Sequence, residues 1–237
     1  VCDGDNASMD DCGVCDGDSS SCIVFSAEDI TTSAAGAFSV YVADVDGDGD
    51  MDVLSASFDD NTIAWYENDG SEGFTKIDIT TSATGAYSVY AVDVDGDGDM
   101  DVLSASYTDD TIAWYENDGN EGFTKIDITT SANFAVSVYA ADVDGDGDMD
   151  VLSASLDDNT IAWYENDGNE GFTKIDITTS ANGATSVYAA DVDGDGDMDV
   201  LSASENDDTI AWYENDGNEG FTKIDITTSA NGATSVY

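Results

Sequence analysis

One aspartate-rich loop, repeated four times at constant spacing, constrains the fold of this chain more than any other feature. Its first copy, DVDGDGDMDVLSAS, runs from Asp44 to Ser57, and the same sequence returns at Asp93, Asp142 and Asp191. Aspartates occupy every second position of the first part of the loop, with glycines between them. Two like charges about 4 Å apart repel by roughly 4 kcal/mol at an effective dielectric of about 20. We therefore predict that a cation sits among these carboxylates.

The ligand atoms that the loop offers favour calcium. Carboxylate and carbonyl oxygens suit this hard ion, whereas a chain without histidine lacks a usual ligand of zinc, copper and nickel. Counted from Asp44, side chains at positions 1, 3, 5 and 9 and the carbonyl at position 7 can surround one ion, and Gly49 at position 6 permits a sharp turn. An EF-hand would need a glutamate at position 12 and flanking helices, but this loop has Ser55 there and β-type flanks. The loop therefore closes a β-hairpin. The alternative to calcium binding is a solvated acidic loop that holds no ion.

Lying between two short strands, the D-x-D-x-D-G-x-x-D loop resembles the FG-GAP or VCBS repeat known from integrin-type β-propellers. The resemblance covers residues 25–237. It implies Ca²⁺ as the cofactor, held in each loop by four aspartate side chains and by the carbonyl of a fifth aspartate at position 7. The metal residues that it implies are Asp44, Asp46, Asp48, Asp50, Asp52, Asp93, Asp95, Asp97, Asp99, Asp101, Asp142, Asp144, Asp146, Asp148, Asp150, Asp191, Asp193, Asp195, Asp197 and Asp199.

The whole unit, and not only the loop, repeats every 49 residues, as Trp65 and Trp114 illustrate. Each unit contains four β-type runs, which in the first copy are SVYVAD, DVLSAS, TIAWYEN and FTKIDIT, separated by loops rich in aspartate, asparagine and glycine. Four such strands form a blade, and units of this length build all-β propellers or propeller-like arrays. Both faces of TIAWYEN are apolar, which is typical of a sheet packed between neighbours. We therefore interpret the tryptophans as packing residues, with sugar stacking as the alternative.

A cysteine-rich segment, residues 1–22, precedes the repeat domain that we predict over residues 23–237. Its cysteines stand among glycine, aspartate and serine with almost no apolar side chains, so we expect disulfides to hold it together, with three possible pairings. Part of it, CGVCDGDSSSC, resembles a segment in the cysteine-rich region of extracellular thrombospondin-motif metalloproteases. A four-cysteine zinc site is the competing interpretation, although the spacing lacks the paired CxxC of a zinc ribbon. The cysteines are Cys2, Cys12, Cys15 and Cys22, and Asn6 begins a glycosylation sequon.

The charge of the chain argues against binding to nucleic acid, and the length of its apolar runs argues against insertion into a membrane. Acidic residues number 53 against four basic ones, giving a formal net charge of −49. Such a chain repels the phosphates of nucleic acid, and none of its apolar runs approaches the length of a membrane span. A catalytic site would set one copy apart by a unique acid, base or nucleophile, but the repeats contain no histidine, arginine or cysteine. We therefore expect no enzymatic activity.

These features predict an extracellular or cell-surface protein, stabilised by calcium, with a structural or adhesive role in a surface layer, filament or adhesin. The alternative is a carbohydrate-binding propeller with sugar pockets between its blades. A polysaccharide lyase or hydrolase is a third interpretation. Both ends of the chain lie inside recognisable repeats. We therefore expect self-association or continuation into further repeats, and glycans as further candidate partners.

Overall fold

The computed structural model describes residues 29–237. The chain divides into two units, Val1–Thr32 and Ser33–Tyr237, and the second unit holds every strand described below. The cysteine-rich segment lies outside the described residues, so its disulfides, its competing zinc site and the Asn6 sequon stay predictions. Within the described part of the chain, no helix is long and apolar enough to cross a membrane.

The described residues form sixteen strands in four antiparallel sheets, which confirms the predicted all-β fold of four-stranded blades. The strands of each sheet follow one another in chain order, so every blade is a simple meander. The predicted second, third and fourth runs coincide with strands, whereas the first strand begins two residues earlier than predicted, across a register shift. The strands are β1 Ala37–Ala43, β2 Asp52–Ser57, β3 Thr62–Asn68, β4 Phe74–Thr80, β5 Ala86–Val92, β6 Asp101–Ser106, β7 Thr111–Asn117, β8 Phe123–Thr129, β9 Ala135–Ala141, β10 Asp150–Ser155, β11 Thr160–Asn166, β12 Phe172–Thr178, β13 Ala184–Ala190, β14 Asp199–Ser204, β15 Thr209–Asn215 and β16 Phe221–Thr227.

The turn between the second and third strands also ties each blade to the segment that leads into the next. Asn61 adopts a left-handed backbone conformation with φ 58°, which asparagine tolerates better than most residues. Its carbonyl accepts a hydrogen bond from the Ala83 N–H at 3.0 Å, and its side-chain oxygen accepts one from the Gly85 N–H at 2.9 Å. Both donors precede β5, so this one turn residue fixes where the second blade begins.

Tryptophans fill the junctions between neighbouring blades. Trp65 is 1% exposed, and Phe123 of the second blade meets it edge on, with ring centroids 6.4 Å apart. An edge-to-face pair adds roughly 0.5–1.5 kcal/mol to the burial of the rings. Residues 63–66 point alternately to the two faces of β3 and are all buried, so the predicted two-sided packing is confirmed. The equivalent ring pairs are Trp114–Phe172 and Trp163–Phe221.

An asparagine at the end of the third strand hydrogen-bonds across each junction. The side-chain amide of Asn117 donates to the carbonyl of Val45, in the first aspartate loop, at 3.2 Å. The same amide donates to the Met100 carbonyl of its own blade at 3.0 Å. The equivalent bonds across the next two junctions join Asn166 to Val94 and Asn215 to Val143. Each junction therefore combines apolar packing with one directional bond to the neighbouring aspartate loop.

The first and the last described blades each leave an apolar face exposed. On β1, Val40 is 68% and Val42 is 48% exposed, whereas their equivalents on β5, Val89 and Ala91, are 4% and 5% exposed. On β16, Ile226 is 57% exposed, while its equivalent in the first blade packs into the core between the first and second blades. These two faces correspond to the surfaces that neighbouring blades bury against each other.

Replacing Asn166 by alanine should destabilise the protein by about 2–3 kcal/mol, because the buried Val94 carbonyl would lose its partner. The control is Asn68→Ala, since Asn68 bonds to its own blade through Met51 and occupies the same repeat position at the exposed face of the first blade. We expect the control to cost about 1 kcal/mol less, which is the net contribution of one hydrogen bond. Urea unfolding measures both variants, and equal losses would show that the bond across the junction contributes nothing.

Candidate metal centre

The four aspartate loops join the first and second strands of each blade and stand at the same end of every sheet. The first loop connects β1 to β2, and the β3–β4 connection lies at the same end of the sheet. Neighbouring loops are close to one another, because Asn117, at the end of β7, reaches the Val45 carbonyl of the first loop. One end of the blades therefore carries all the predicted metal residues.

Main-chain N–H groups inside the loop turn towards its carboxylates. The N–H of Asp48 donates to Asp46 at 3.1 Å, and that of Asp50 donates to Asp48 at 2.8 Å. Gly49, in a left-handed conformation with φ 99°, donates to Asp44 at 3.1 Å. Residues other than glycine rarely adopt such a φ, which explains why glycine alternates with aspartate here. The loop is thus wound around its own carboxylates before any ion is considered.

The winding brings three carboxylates together in every loop. In the first loop, oxygen atoms of Asp44, Asp46 and Asp48 lie within 4.8 Å of one another. Positions 1 and 3 belong to the group in all four loops, joined by position 5 in the first and third loops and by position 9 in the second and fourth. The other groups are Asp93, Asp95 and Asp101; Asp142, Asp144 and Asp146; and Asp191, Asp193 and Asp199.

The donor set of the loop fits a calcium ion. All its side-chain donors are carboxylate oxygens, the ligands that hard divalent ions prefer. In the first loop, Oδ1 of Asp44 is buried and has no hydrogen-bond partner, whereas the equivalent oxygen of Asp93 accepts the Gly96 N–H at 2.8 Å. A buried carboxylate oxygen without a partner is costly, and a bound cation would satisfy it. The side chains at positions 1, 3, 5 and 9 would hold the ion.

Mutual repulsion among the loop carboxylates persists in the folded protein. The pKa of Asp46 is raised, chiefly by desolvation and also by the charges of Asp48, Asp52 and Asp44, while the Asp48 N–H opposes the shift. Asp95 shows a raised pKa with the same leading causes. A raised carboxyl pKa means that the folded state disfavours the charged form. A bound cation would reverse that preference.

The aspartate at position 9 is the structural anchor of the loop. Asp101 is buried at the start of β6, where it accepts the Val94 N–H at 3.0 Å and the Asn117 N–H at 2.7 Å. Burial raises its pKa to about 6, although these two N–H groups lower it. The indole N–H of Trp114 also lowers this pKa, but its geometry falls outside that of a hydrogen bond. In the third blade, Asp150 has the same anchoring bonds and a pKa of about 6.

The aspartate at position 7 points its carboxylate away from the group. The Asp50 carboxylate packs against Gly70 so closely that a Cβ at Gly70 would collide with it, and Gly70 also has φ 69°. The resemblance implies that Asp50 binds the ion through its main-chain carbonyl. That expectation stays a prediction. The sequence analysis did not single out Gly70 or Asn117, although both positions are identical in all four copies. Forty of the 49 repeat positions are identical in all four copies, so comparing the copies does not distinguish these two.

A polar cavity of about 410 Å³ opens between the first and second blades beside two of the loops. The indole N–H of Trp65 is buried without a hydrogen-bond partner, and Trp65 lines the cavity. The other lining residues are Val45, Asp46, Asp99, Asn117, Gly119, Asn120 and Glu121. The cavity therefore combines carboxylate acceptors with amide donors and the body of an indole.

In the metal-free protein, stability should fall as the pH rises from about 4 to 6. Asp101 and Asp150 have pKa values of about 6 when folded, against an ordinary value of 3.8. Their protonation therefore favours the folded state at low pH, and that contribution is lost as the pH rises through the folded pKa. We expect the urea midpoint in EDTA to fall across this range and the Asp101→Asn, Asp150→Asn double variant to flatten the fall. Saturating Ca²⁺ should remove the fall, and an unchanged pH profile in the double variant would contradict the assignment.

Comparison with solved structures shows the fold of the chain. A lectin from Agrocybe aegerita, solved to show recognition of non-reducing terminal N-acetylglucosamine, is 16% identical, with a TM-score of 0.57 over 81% of this chain and 53% of that one. The V. cholerae biofilm matrix protein Bap1 is 21% identical, with a TM-score of 0.56 over 83% of this chain and 29% of that one. This chain thus spans about half of the first protein and under a third of the second. No curated protein matches the sequence.

The repeat itself matches a known family along most of the chain. The profile described as FG-GAP-like repeat matches residues 44–104, 93–153, 142–202 and 191–237. The matches overlap because each begins at an aspartate loop and the first three end beyond the start of the next loop. The chain therefore belongs to the FG-GAP-like repeat family.

Proposed function

We propose that this protein is an extracellular or cell-surface structural or adhesive component that calcium stabilises. The observation that carries the proposal is the group of three carboxylates found in each of the four aspartate loops. The buried, partnerless oxygen of Asp44 supports a cation in the first loop. The similarity of fold to a biofilm matrix protein supports a matrix or adhesive role.

Calcium binding at a loop would stiffen more than the loop itself. The ion supplies positive charge and accepts oxygen ligands, so it removes the repulsion among the clustered carboxylates. Asp101 belongs to one of these groups and also accepts the N–H of Asn117. Asn117 in turn donates to the Val45 carbonyl of the preceding loop. Binding at the loop therefore favours an ordered junction, and a series of such junctions forms a rigid body.

The apolar faces of the first and last described blades support the proposal that further blades pack against them. Val40 and Val42 at one end, and Ile226 at the other, are exposed at positions that inner blades bury. Faces of this kind fit another blade of the same repeat, either in the same polypeptide or in a neighbouring copy. A stack of blades, in a filament or a closed ring, would cover both faces.

Calcium should stabilise the protein, and its removal should lower the Tm sharply. A ligand present at 100 times its Kd and bound only to the folded state adds about 2.7 kcal/mol per site, and extracellular calcium modules bind at roughly 10⁻⁴–10⁻³ M. We expect Asp46→Asn to weaken the calcium response of the first loop. The control is Asp59→Asn, which removes the same charge at a position where the fourth copy already has Asn206. An identical Tm in EDTA and in millimolar Ca²⁺ at low salt would show that the loops bind no calcium.

Bead aggregation tests the adhesive role with the same protein and the same two variants. Beads coated with the full chain should aggregate in Ca²⁺ and disperse in EDTA, and coating with the Asp46→Asn variant should weaken aggregation more than coating with Asp59→Asn. Calcium-dependent stability without any bead aggregation or ordered assembly would remove the adhesive proposal and leave the metal sites in place.

Carbohydrate binding is the second candidate function, and the cavity beside Trp65 favours it. Sugar hydroxyls both donate and accept hydrogen bonds, which suits a cavity lined by the Glu121 carboxylate and the Asn120 side-chain amide. The similarity of fold to an N-acetylglucosamine-specific lectin is consistent with this candidate.

A glycan array tests the cavity with two substitutions. We expect Glu121→Gln, combined with Asn120→Ser, to lower the binding of any selected glycan by about tenfold, since a hydrogen bond to a charged group contributes roughly 1.5–3 kcal/mol. Serine is tolerated at that position because the first copy has Ser71 there. Unchanged glycan binding by this variant would exclude the cavity as the site.

A further inference from the structure

The four copies of the repeat differ at nine of their 49 positions, and the differences are not evenly distributed. Three of the nine positions, represented by Val42, Ala43 and Ser71, lie in or near the end of the sheets that carries the aspartate loops. The other six lie at the opposite end, which we name the variable edge. In the first blade the variable edge consists of Ala35, Gly36, Phe38, Phe58, Asp59 and Asn61.

Backbone hydrogen bonds hold the two halves of the variable edge together in each blade. The N–H of Phe58 donates to the Gly36 carbonyl at 2.9 Å, and that of Asp59 donates to the Ala35 carbonyl at 3.1 Å. The same pair of bonds recurs at the equivalent positions of the other three blades. Because main-chain atoms make these bonds, the side chains at positions such as Phe38 and Phe58 can differ without loss of the fold.

Aromatic side chains at the variable edge form one continuous surface over three blades. The rings of Phe38 and Tyr87 have centroids 4.6 Å apart, and those of Phe58 and Tyr107 are 5.9 Å apart. Tyr107 stacks on Phe134 of the third blade at 4.3 Å with an interplanar angle of 10°. Phe38 is 56% exposed and the other rings are half-buried. We name these five residues the aromatic cluster.

Phe134 has a strained backbone conformation. Its φ is 55°, in the left-handed region that bulky side chains rarely adopt. The other copies have glycine at this position, and Gly85, for example, has φ 71°. A residue held in a sparsely populated conformation at the surface points to a functional requirement rather than to packing. Here the strained backbone places a ring face to face with Tyr107.

The polar side chains of the variable edge differ in type and charge from copy to copy. Asp59 of the first copy is replaced by Thr108 in the second and by Asn206 in the fourth. The fourth copy carries Glu205 where others have an aromatic or leucine side chain. Burial raises the pKa of Tyr87, and the Glu205 carboxylate adds to this effect, so the two groups lie within electrostatic reach. The edge thus surrounds its rings with hydroxyls, amides and the carboxylates of Asp59, Asp110, Asp157, Glu205 and Asp208.

We propose that the aromatic cluster is a binding site for a neutral oligosaccharide. The faces of aromatic rings are electron-rich and attract the C–H groups on the flat face of a pyranose ring, while hydroxyls, amides and a carboxylate bind sugar hydroxyls. The net charge of −49 repels anionic ligands. The carboxylates at the positions of Asp59 and Asn61 change from copy to copy, whereas the stacked rings form one continuous surface, so the rings and not a fixed set of charges define the site. The site lies at the opposite end of the sheets from the metal groups, so it does not depend on them.

The test measures binding of the full chain, saturated with calcium, to cello-, malto- and chito-oligosaccharides by titration calorimetry. The test variant is Phe38→Thr with Tyr87→Thr, because the fourth copy already has Thr185 at this position. We expect each lost ring to weaken binding by about fivefold, in line with the contribution of one aromatic contact. The control is Ile226→Thr, which removes an apolar side chain of equal exposure, 57% against 56% for Phe38, and should bind as the parent does.

A second variant separates binding from folding. Phe134→Gly restores the residue of the other copies and relieves the strained backbone, so we expect its Tm to stay the same or rise while binding weakens. No binding of any of these sugars by the parent protein would overturn the proposal, as would equal affinity in the parent and the threonine variant. Binding of oligolysine that the threonine variant abolishes, without sugar binding, would assign the cluster to a basic partner instead. Sugar binding that depends on Glu121 and Asn120 but not on the rings would place the sugar site in the cavity beside Trp65 and overturn the proposal.

Discussion

The junctions between blades depend on one buried carboxylate in each aspartate loop. In the second blade this is Asp101, whose oxygens accept the N–H groups of Val94 in its own loop and of Asn117 at the end of β7. Asn117 then donates to the Val45 carbonyl in the preceding loop. Hydrogen bonds to an ionised group are roughly twice as strong as neutral ones. A single acid therefore orders its own loop, the end of a strand and the contact with the neighbouring blade.

This arrangement links ion binding to the packing of the whole series. Desolvation and then the charges of neighbouring carboxylates raise the pKa of Asp46, and the loop also supplies the acceptor for the bond across the junction. In repeat proteins the stability is approximately the sum of terms for each unit and for each contact between neighbours. A cation that orders one loop would act on both kinds of term. Four equivalent loops would make the rigidity of the series respond to the concentration of that cation.

The repeat made the fold predictable, and the contacts between copies limited the prediction. A 49-residue period with four β-type runs was enough to place the strands and to assign Trp65 to the core, because each pattern occurs four times. The cross-junction bond of Asn117 was not predicted, since its partner Val45 is 72 residues away and amphipathic periodicity carries no information on such pairs. The clearance that Gly70 gives to the Asp50 carboxylate was missed for the same reason. The stack of Phe134 on Tyr107 depends on how successive blades are placed, which no single repeat contains.

Physical constraints divide the two ends of the blades into different roles. At the aspartate-loop end, every copy has the same acidic loop and three of the four copies make the same bond to the preceding loop, so we expect a substitution in one loop to weaken the neighbouring junction as well. At the variable edge, main-chain bonds such as that from the Phe58 N–H to the Gly36 carbonyl form in all four copies although the side chain at the position of Phe58 differs. Side chains there can change one copy at a time, as Glu205 and Phe134 have. An end whose loop carboxylates are the same in every copy is suited to stability, and an end where most of the differences fall is suited to recognition.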